Sequence, residues 1–329
     1  MKNRILLSIL VIVTVSLVYS LIRAWRIPAE IRYIDRSSGK LMKERIPGSF
    51  WLKWLNTTRL GRMVSRMVVE QRISSVGYGK LMDLPLSRLW ISGFIRDHAI
   101  NMEECQFPAD HYQTFNQFFY RHLKPESRPI DPDPKVMVSP ADGKVAGWQT
   151  PDGMGNFFVK GHAFTLDKLL HDHELADHYR NGTIYIIRLA PPDYHRYHFP
   201  VSGLVSAARI ISGRYASVSP LATRIQPSIL STNQRQLTRI SSPEFGKVIM
   251  IDVGATFVGS IIQTYTPETD VTKGMEKGYF KFGGSTLILL IEPGRIRIDP
   301  DIARNTQQGY ETSIRMGESI GRLIDSDIE

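Results

Sequence analysis

The stretch Gly278-Tyr-Phe-Lys-Phe-Gly-Gly-Ser-Thr-Leu-Ile-Leu-Leu-Ile291 enters an apolar run of strand character through two glycines and two hydroxyl residues. Gly283 and Gly284 admit backbone angles that a Cβ forbids, so the Ser285 hydroxyl can swing back onto the carbonyl of Gly284. A serine so placed is able to cut its own chain. The same residues also make an ordinary tight turn into a buried strand, because Gly and Ser populate turns for conformational reasons alone.

The surrounding body reads as β-rich with a few helices. Thr183 to Leu189 is a short strand that runs into Ala190-Pro-Pro-Asp-Tyr-His-Arg-Tyr-His-Phe-Pro200, where two histidines three apart are enclosed by prolines and preceded by an aspartate. Histidine is the side chain best suited to moving protons near neutral pH, although a hydrogen-bonded structural histidine is the ordinary fate of either one taken singly. Further strands are expected at Val201 to Ile211, Val248 to Val253, Val258 to Tyr265, Leu287 to Ile291 and Arg295 to Ile298. Upstream, Phe115 to Leu123 puts Phe115, Phe118, Phe119 and His122 on one helical face until Pro125 and Pro129 stop it. Val138-Ser-Pro-Ala-Asp-Gly-Lys-Val145 reads as a turn between strands, with Asp142 and Gly143 at the bend. His162, His171, His173 and His178 invite a metal reading, but histidines two apart on a helix diverge, unlike the i, i+4 pairs of helical zinc sites. An exposed His-rich helix is the simpler reading, and no metal is expected.

The amino-terminal third has a different character. Ile5 to Ile22 is an uncharged run long enough to span a bilayer, flanked by Lys2 and Arg4 before it and by Arg23, Trp25 and Arg26 after it. A cleaved signal peptide is the competing reading, but the run exceeds a usual apolar core of that kind. Basic residues from Arg32 to Arg45 place the main body on the cytoplasmic side. From Trp51 onward Leu60, Met63, Val64, Met67 and Val68 recur at steps of three and four beside Arg59, Arg62 and Arg66, the pattern of a basic amphipathic helix suited to an anionic membrane. The expected architecture is therefore α+β: a transmembrane anchor over residues 1–26, a helical membrane-proximal region over 27–108, and a β-rich catalytic domain over 109–329. A formal charge of +9 suits an anionic partner without selecting among lipid, phosphate and nucleic acid. Cys105 is the only cysteine, which excludes an internal disulfide and a cysteine-based zinc site.

Taken together, Phe115-Asn-Gln-Phe-Phe119, Ser139-Pro-Ala-Asp-Gly143, Asp193-Tyr-His-Arg-Tyr-His198, Val253-Gly-Ala-Thr-Phe-Val-Gly-Ser260 and Gly278 to Thr286 resemble, in order and spacing, the phosphatidylserine decarboxylase proenzyme family in its longer form. The resemblance implies a membrane-bound enzyme that converts phosphatidylserine to phosphatidylethanolamine and CO2 with a pyruvoyl group made from its own serine. Carried over to this chain, Asp142, His198 and Ser285 correspond to the self-cleavage triad, with Asp142 orienting His198 to take the Ser285 proton, and His195 to the histidine used in decarboxylation. Cleavage between Gly284 and Ser285 then leaves a β chain ending at 284 and an α chain of residues 285–329 that stay associated. The implied partners are phosphatidylserine and an anionic membrane surface, in a bacterial inner membrane. Nucleic acid is not among them, and a homodimer is compatible with the sequence.

Two other classes use the same residues. A membrane-anchored serine hydrolase would need a G-x-S-x-G elbow, which Ser285 lacks. A non-cleaving inactive homologue would keep the fold, and intact triad residues argue against it.

Overall fold

The fold is described from a computed structural model, which covers residues 11, 14–22, 24–25, 30–44, 46, 49–149, 156–159, 162–223, 226, 228–255, 261–283 and 285–324. An eleven-stranded sheet organises these residues, and the strand Ser285–Ile291 lies in its middle. It pairs antiparallel with Gly246–Val253 on one side and with Thr183–Leu189 on the other. All seven of its residues are buried, as are those of Thr183–Leu189. That explains the unbroken Leu-Ile-Leu-Leu-Ile run: with both faces covered, neither side calls for polar alternation. Each of these aliphatic side chains stabilises the fold by about 1.5–3 kcal/mol through burial, so the serine that opens the strand stands on a rigid element.

A second, three-stranded antiparallel sheet of Ile261–Gln263, Glu276–Phe280 and Arg196–His198 carries the histidine segment. Lys277 ties it to the large sheet. Its Nζ donates to Asp252 Oδ2 at 2.5 Å and to Gln263 Oε1 at 3.0 Å, and it lies over the Tyr197 ring. Lys277 and Asp252 are both fully buried, so truncating either would strand the other's charge at a cost of about 3–5 kcal/mol.

Several expectations need correction. Residues 27–108 are not wholly helical: Ile31–Ile34 and Leu41–Glu44 form an edge hairpin of the large sheet, with Ile31–Ile34 parallel to Glu311–Ile314. Pairing across nearly the whole chain leaves no local periodicity, and these four-residue strands are too short to show one. The segment Val201 to Ile211 is two strands, Gly203–Val205 and Arg209–Ile211, both on Arg235–Ser242. The helix at Phe115 ends at Phe119, four residues before the expected Leu123. Within Val258 to Tyr265 the strand is Ile261–Gln263, residues 256–260 lying outside the described ones.

The amphipathic pattern from Trp51 to Val68 is helical in three consecutive segments, Ser49–Thr57, Arg59–Val64 and Ser65–Val69, and further helices follow at Arg72–Met82 and Ile91–His98. Residues 14–22 are helical, whereas 5–10, 12 and 13 of the apolar run lie outside the described residues. Among the described residues no helix is long and apolar enough to cross a membrane.

Candidate active site

Ser285 is fully buried, and its Oγ lies 3.2 Å from His195 Nδ1. The other ring nitrogen, Nε2, is 3.1 Å from the carbonyl oxygen of Ala190. A carbonyl only accepts, so Nε2 carries the proton. In a neutral imidazole that leaves the Nδ1 lone pair to accept from the Ser285 hydroxyl. The tautomer is thus set by the backbone, in the sense that suits proton removal from the serine.

Why Ala190 presents its carbonyl there follows from the preceding strand and the prolines. Leu189 is opposite Ser285 in the ladder, and the chain then turns through Pro191 and Pro192, with Asp193 N donating to Ala190 O. The Asp193 carboxylate accepts the Ala190 N–H at 2.7 Å and is itself held by Lys144 Nζ at 3.0 and 3.1 Å. Burial alone would raise the Asp193 carboxyl, but Lys144 and the Ala190 N–H outweigh it and hold it below the usual range. On the opposite face the His195 ring stacks on Phe119, with centroids 3.9 Å apart. Asp193, Lys144 and Phe119 were not singled out as functional from sequence.

The other two members of the expected triad are placed differently. The Asp142 carboxylate accepts from Arg128 Nε at 2.8 Å and Nη2 at 2.5 Å, and from the Met316 N–H at 2.8 Å. Arg128 in turn reaches Glu104 at 2.9 Å. His198 is buried, its ring faces Tyr194, and its Nδ1 has no hydrogen-bond partner among the described residues. The expectation that His198, oriented by Asp142, meets Ser285 therefore differs from the observed arrangement, in which His195 meets it. The reason is geometric: on an extended segment residues three apart face opposite sides, so only one of the two can face the serine. Gly284, the other half of the expected cleavage site, lies outside the described residues. Gly283 beside it has φ of +143°, a conformation that favours glycine.

Burial pushes His195 down to about 3 and His198 down to about 4. Two pH effects are expected. Unfolding exposes both rings, which then take up protons that the folded state refuses, so their contribution to stability is complete above about 6.5 and is lost as the pH falls toward 4 to 3. Urea midpoints measured between pH 8 and 4 should decline through that window. Any step that uses His195 as a base should show no histidine inflection near pH 6.5, because the ring is already neutral there; a rate that halves at that pH would contradict this geometry.

A sequence model of phosphatidylserine decarboxylase matches residues 115–322. The chain belongs to the phosphatidylserine decarboxylase family. It is 44% identical over 292 residues to a phosphatidylserine decarboxylase proenzyme of Fusobacterium nucleatum, covering 89% of this chain and 97% of the relative. A proenzyme of the same description from Chlamydia muridarum is 42% identical over 297 residues (90% and 99%), and one from Clostridium novyi is 44% identical over 281 (85% and 95%).

In this member of the decarboxylase family a cavity of about 490 Å³ opens beside the serine segment. Ala190, Pro191, Phe282 and Gly283 line it from the serine and histidine segments, and Trp51, Leu52 and Leu55 line it from the amino-terminal helices. Its lining is largely apolar. Among the described residues no group of three or more His, Cys, Asp or Glu side chains is arranged to hold a metal. Of the histidines in the His-rich segment, His173 pairs with Asp167 and His178 with Glu292.

Proposed function

We propose that the chain decarboxylates phosphatidylserine to phosphatidylethanolamine and CO2 after cutting itself between Gly284 and Ser285. The observation that carries this reading is the buried Ser285 hydroxyl, at the start of a rigid strand, against the unprotonated nitrogen of His195. His195 Nδ1 takes the hydroxyl proton as Oγ attacks the Gly284 carbonyl carbon. The C–N bond breaks, the Ser285 nitrogen takes the proton back, and an ester replaces the amide. Loss of the Ser285 α-proton then expels the Gly284 carboxylate and leaves dehydroalanine. Its enamine tautomerises, and water releases ammonia to give the pyruvoyl group. Burial of Ser285 away from bulk water fits this sequence, because it favours attack by the neighbouring hydroxyl over attack by solvent.

The pyruvoyl group, once formed, supplies a ketone for the substrate amine and an electron sink for the departing CO2. The residues fit such a group: the strand holds its position, the cavity beside Gly283 admits an apolar chain, and His195 faces it. After processing, the same Nδ1 would take a proton from the incoming substrate ammonium and pass it to the substrate carbon that loses CO2. A second reading keeps the triad implied by family resemblance, in which His198 takes the Ser285 proton. The unpartnered His198 Nδ1 favours it, and it requires Asp142 to leave Arg128.

The membrane supplies the substrate. Ile73, Leu86 and Leu89 are each at least 74% exposed, and Trp51 and Trp90 more than half. They share the helical region with the exposed Arg59, Arg66, Lys80 and Arg88. Apolar side chains beside cationic ones suit an interfacial site on anionic lipid, on the cytoplasmic side if the basic flank sets orientation. The test is incubation of the purified full chain with vesicles containing phosphatidylserine. Release of CO2, equimolar phosphatidylethanolamine and retention on anionic but not zwitterionic vesicles are expected. Liberation of fatty acid or of free serine instead would point to a hydrolase.

A further inference from the structure

The residues that hold the chain on the amino side of the cleavage bond lie in the helix Phe115–Phe119 and, beyond it, in the amino-terminal helices. Asn116 is fully buried, and its side-chain amide uses both ends. Oδ1 accepts the Phe282 N–H at 2.8 Å, while Nδ2 donates to Gly79 O at 3.1 Å and to Asp83 Oδ1 at 2.9 Å. The other Asp83 oxygen accepts from Lys281 Nζ at 2.9 Å, so consecutive residues, Lys281 and Phe282, are tied to the same place. The Phe282 ring packs between Phe115 and Phe119, with centroids 5.1 and 4.9 Å away. Phe119 also stacks on His195.

One short helix therefore touches both sides of the reaction. Through Phe119 it sets the plane of the histidine that faces Ser285, and through Asn116 it sets the backbone two residues before the bond to be cut. A hydroxyl attacks a carbonyl along a narrow approach, and displacement by about 1 Å costs on the order of a hundredfold in rate. Glycine on its own gives the opposite of a fixed approach, since a residue without a Cβ lets the chain rotate. Something outside the pair of glycines has to restrain it.

We propose that Asn116 is the positioning residue for self-cleavage, holding Phe282 so that the Gly284 carbonyl is presented to Ser285, and that it takes its own bearing from the helix Arg72–Met82 through Gly79 and Asp83. This rests on the self-cleavage reading above. The consequence is that processing is sensitive to how the amino-terminal helices are seated, although none of their side chains acts on the bond.

The experiment follows conversion of freshly synthesised full-length chain to two fragments by denaturing electrophoresis and mass measurement. Asn116→Ala should slow conversion about ten- to a hundredfold. The exchange Asn116→Asp with Asp83→Asn keeps an acceptor for the Phe282 N–H and a donor between the two side chains, and should restore at least part of the rate, which a general loss of packing would not allow. Hydroxylamine, which cuts esters, should not accelerate Asn116→Ala, because the attack itself is slowed and no ester accumulates. Asp83→Ala, at the exposed edge of the network, should slow conversion less, and it carries the test if the buried variants do not fold. Conversion of Asn116→Ala at the parental rate, equal slowing in the Asn116→Asp with Asp83→Asn exchange, accumulation of a hydroxylamine-sensitive ester, or an unaffected Asp83→Ala would each overturn the assignment. A parental chain that never cleaves would instead refute the reading on which it rests.

Discussion

Ser285→Ala yields one polypeptide of full length and no phosphatidylethanolamine, whereas the parental chain yields a fragment ending at Gly284 and a second, beginning at residue 285, with a blocked amino end. The effect is complete because one side chain has two successive uses. Its oxygen is the nucleophile that breaks the peptide bond and leaves with the Gly284 carboxylate, and the Ser285 Cα then becomes the ketone carbon that captures the substrate amine. The substitution removes a single atom from a fully buried position, so the fold should persist and the loss belongs to chemistry. Mass measurement of both fragments is the decisive check. If Ser285→Ala cleaves, or if uncleaved parental protein produces phosphatidylethanolamine, the proposed function fails.

The second large effect separates the two histidines. With His195 Nδ1 against the Ser285 hydroxyl, His195→Ala removes the proton acceptor and should slow self-cleavage by about a hundredfold or more, within the range for a positioned general base. Any material that does process should still lack decarboxylase activity. His198→Ala removes a buried ring that does not touch Ser285 in this arrangement, so it should cleave, with a lower melting temperature from the cavity left beside Tyr194. The reading implied by family resemblance expects the reverse for cleavage: His195→Ala processed but inactive, His198→Ala unprocessed. Time courses of fragment formation for both variants choose between them. Arg128→Gln adds a third arm, since freeing Asp142 from its guanidinium should accelerate cleavage only if Asp142 has to reach His198.

Some of this was legible along the chain and some was not, for reasons that differ by residue. Ser285 stood out because glycines, hydroxyls and a buried strand adjoin one another, and all the relevant constraints act over a few bonds. The pair His195 and His198 stood out for the same reason, lying between a strand and prolines. Which of them faces the serine depends on how Arg196–His198 registers against Glu276–Phe280, and a pairing between segments some eighty residues apart leaves no local trace. Arg128 lies only fourteen residues before Asp142, yet nothing in a proline-rich segment announces that its guanidinium turns inward to meet that carboxylate.

The amino-terminal region shows the same division. Its amphipathic helices follow from a spacing of three and four, whereas the hairpin Ile31–Ile34 and Leu41–Glu44 exists because Glu311–Ile314 offers it an edge. Asn116 belongs with that second group: an asparagine within an aromatic helix carries no signal until Phe282, Gly79 and Asp83 are brought to its three hydrogen bonds. Local order along the chain was enough to single out Ser285, its strand and the family pattern around it, since torsional freedom and hydrophobic period are properties of neighbours. The histidine against its hydroxyl, the tautomer of that ring and the hold of Asn116 on Phe282 came from packing, because each is an orientation between groups remote in the chain, and such orientations exist only once the sheets have closed on each other.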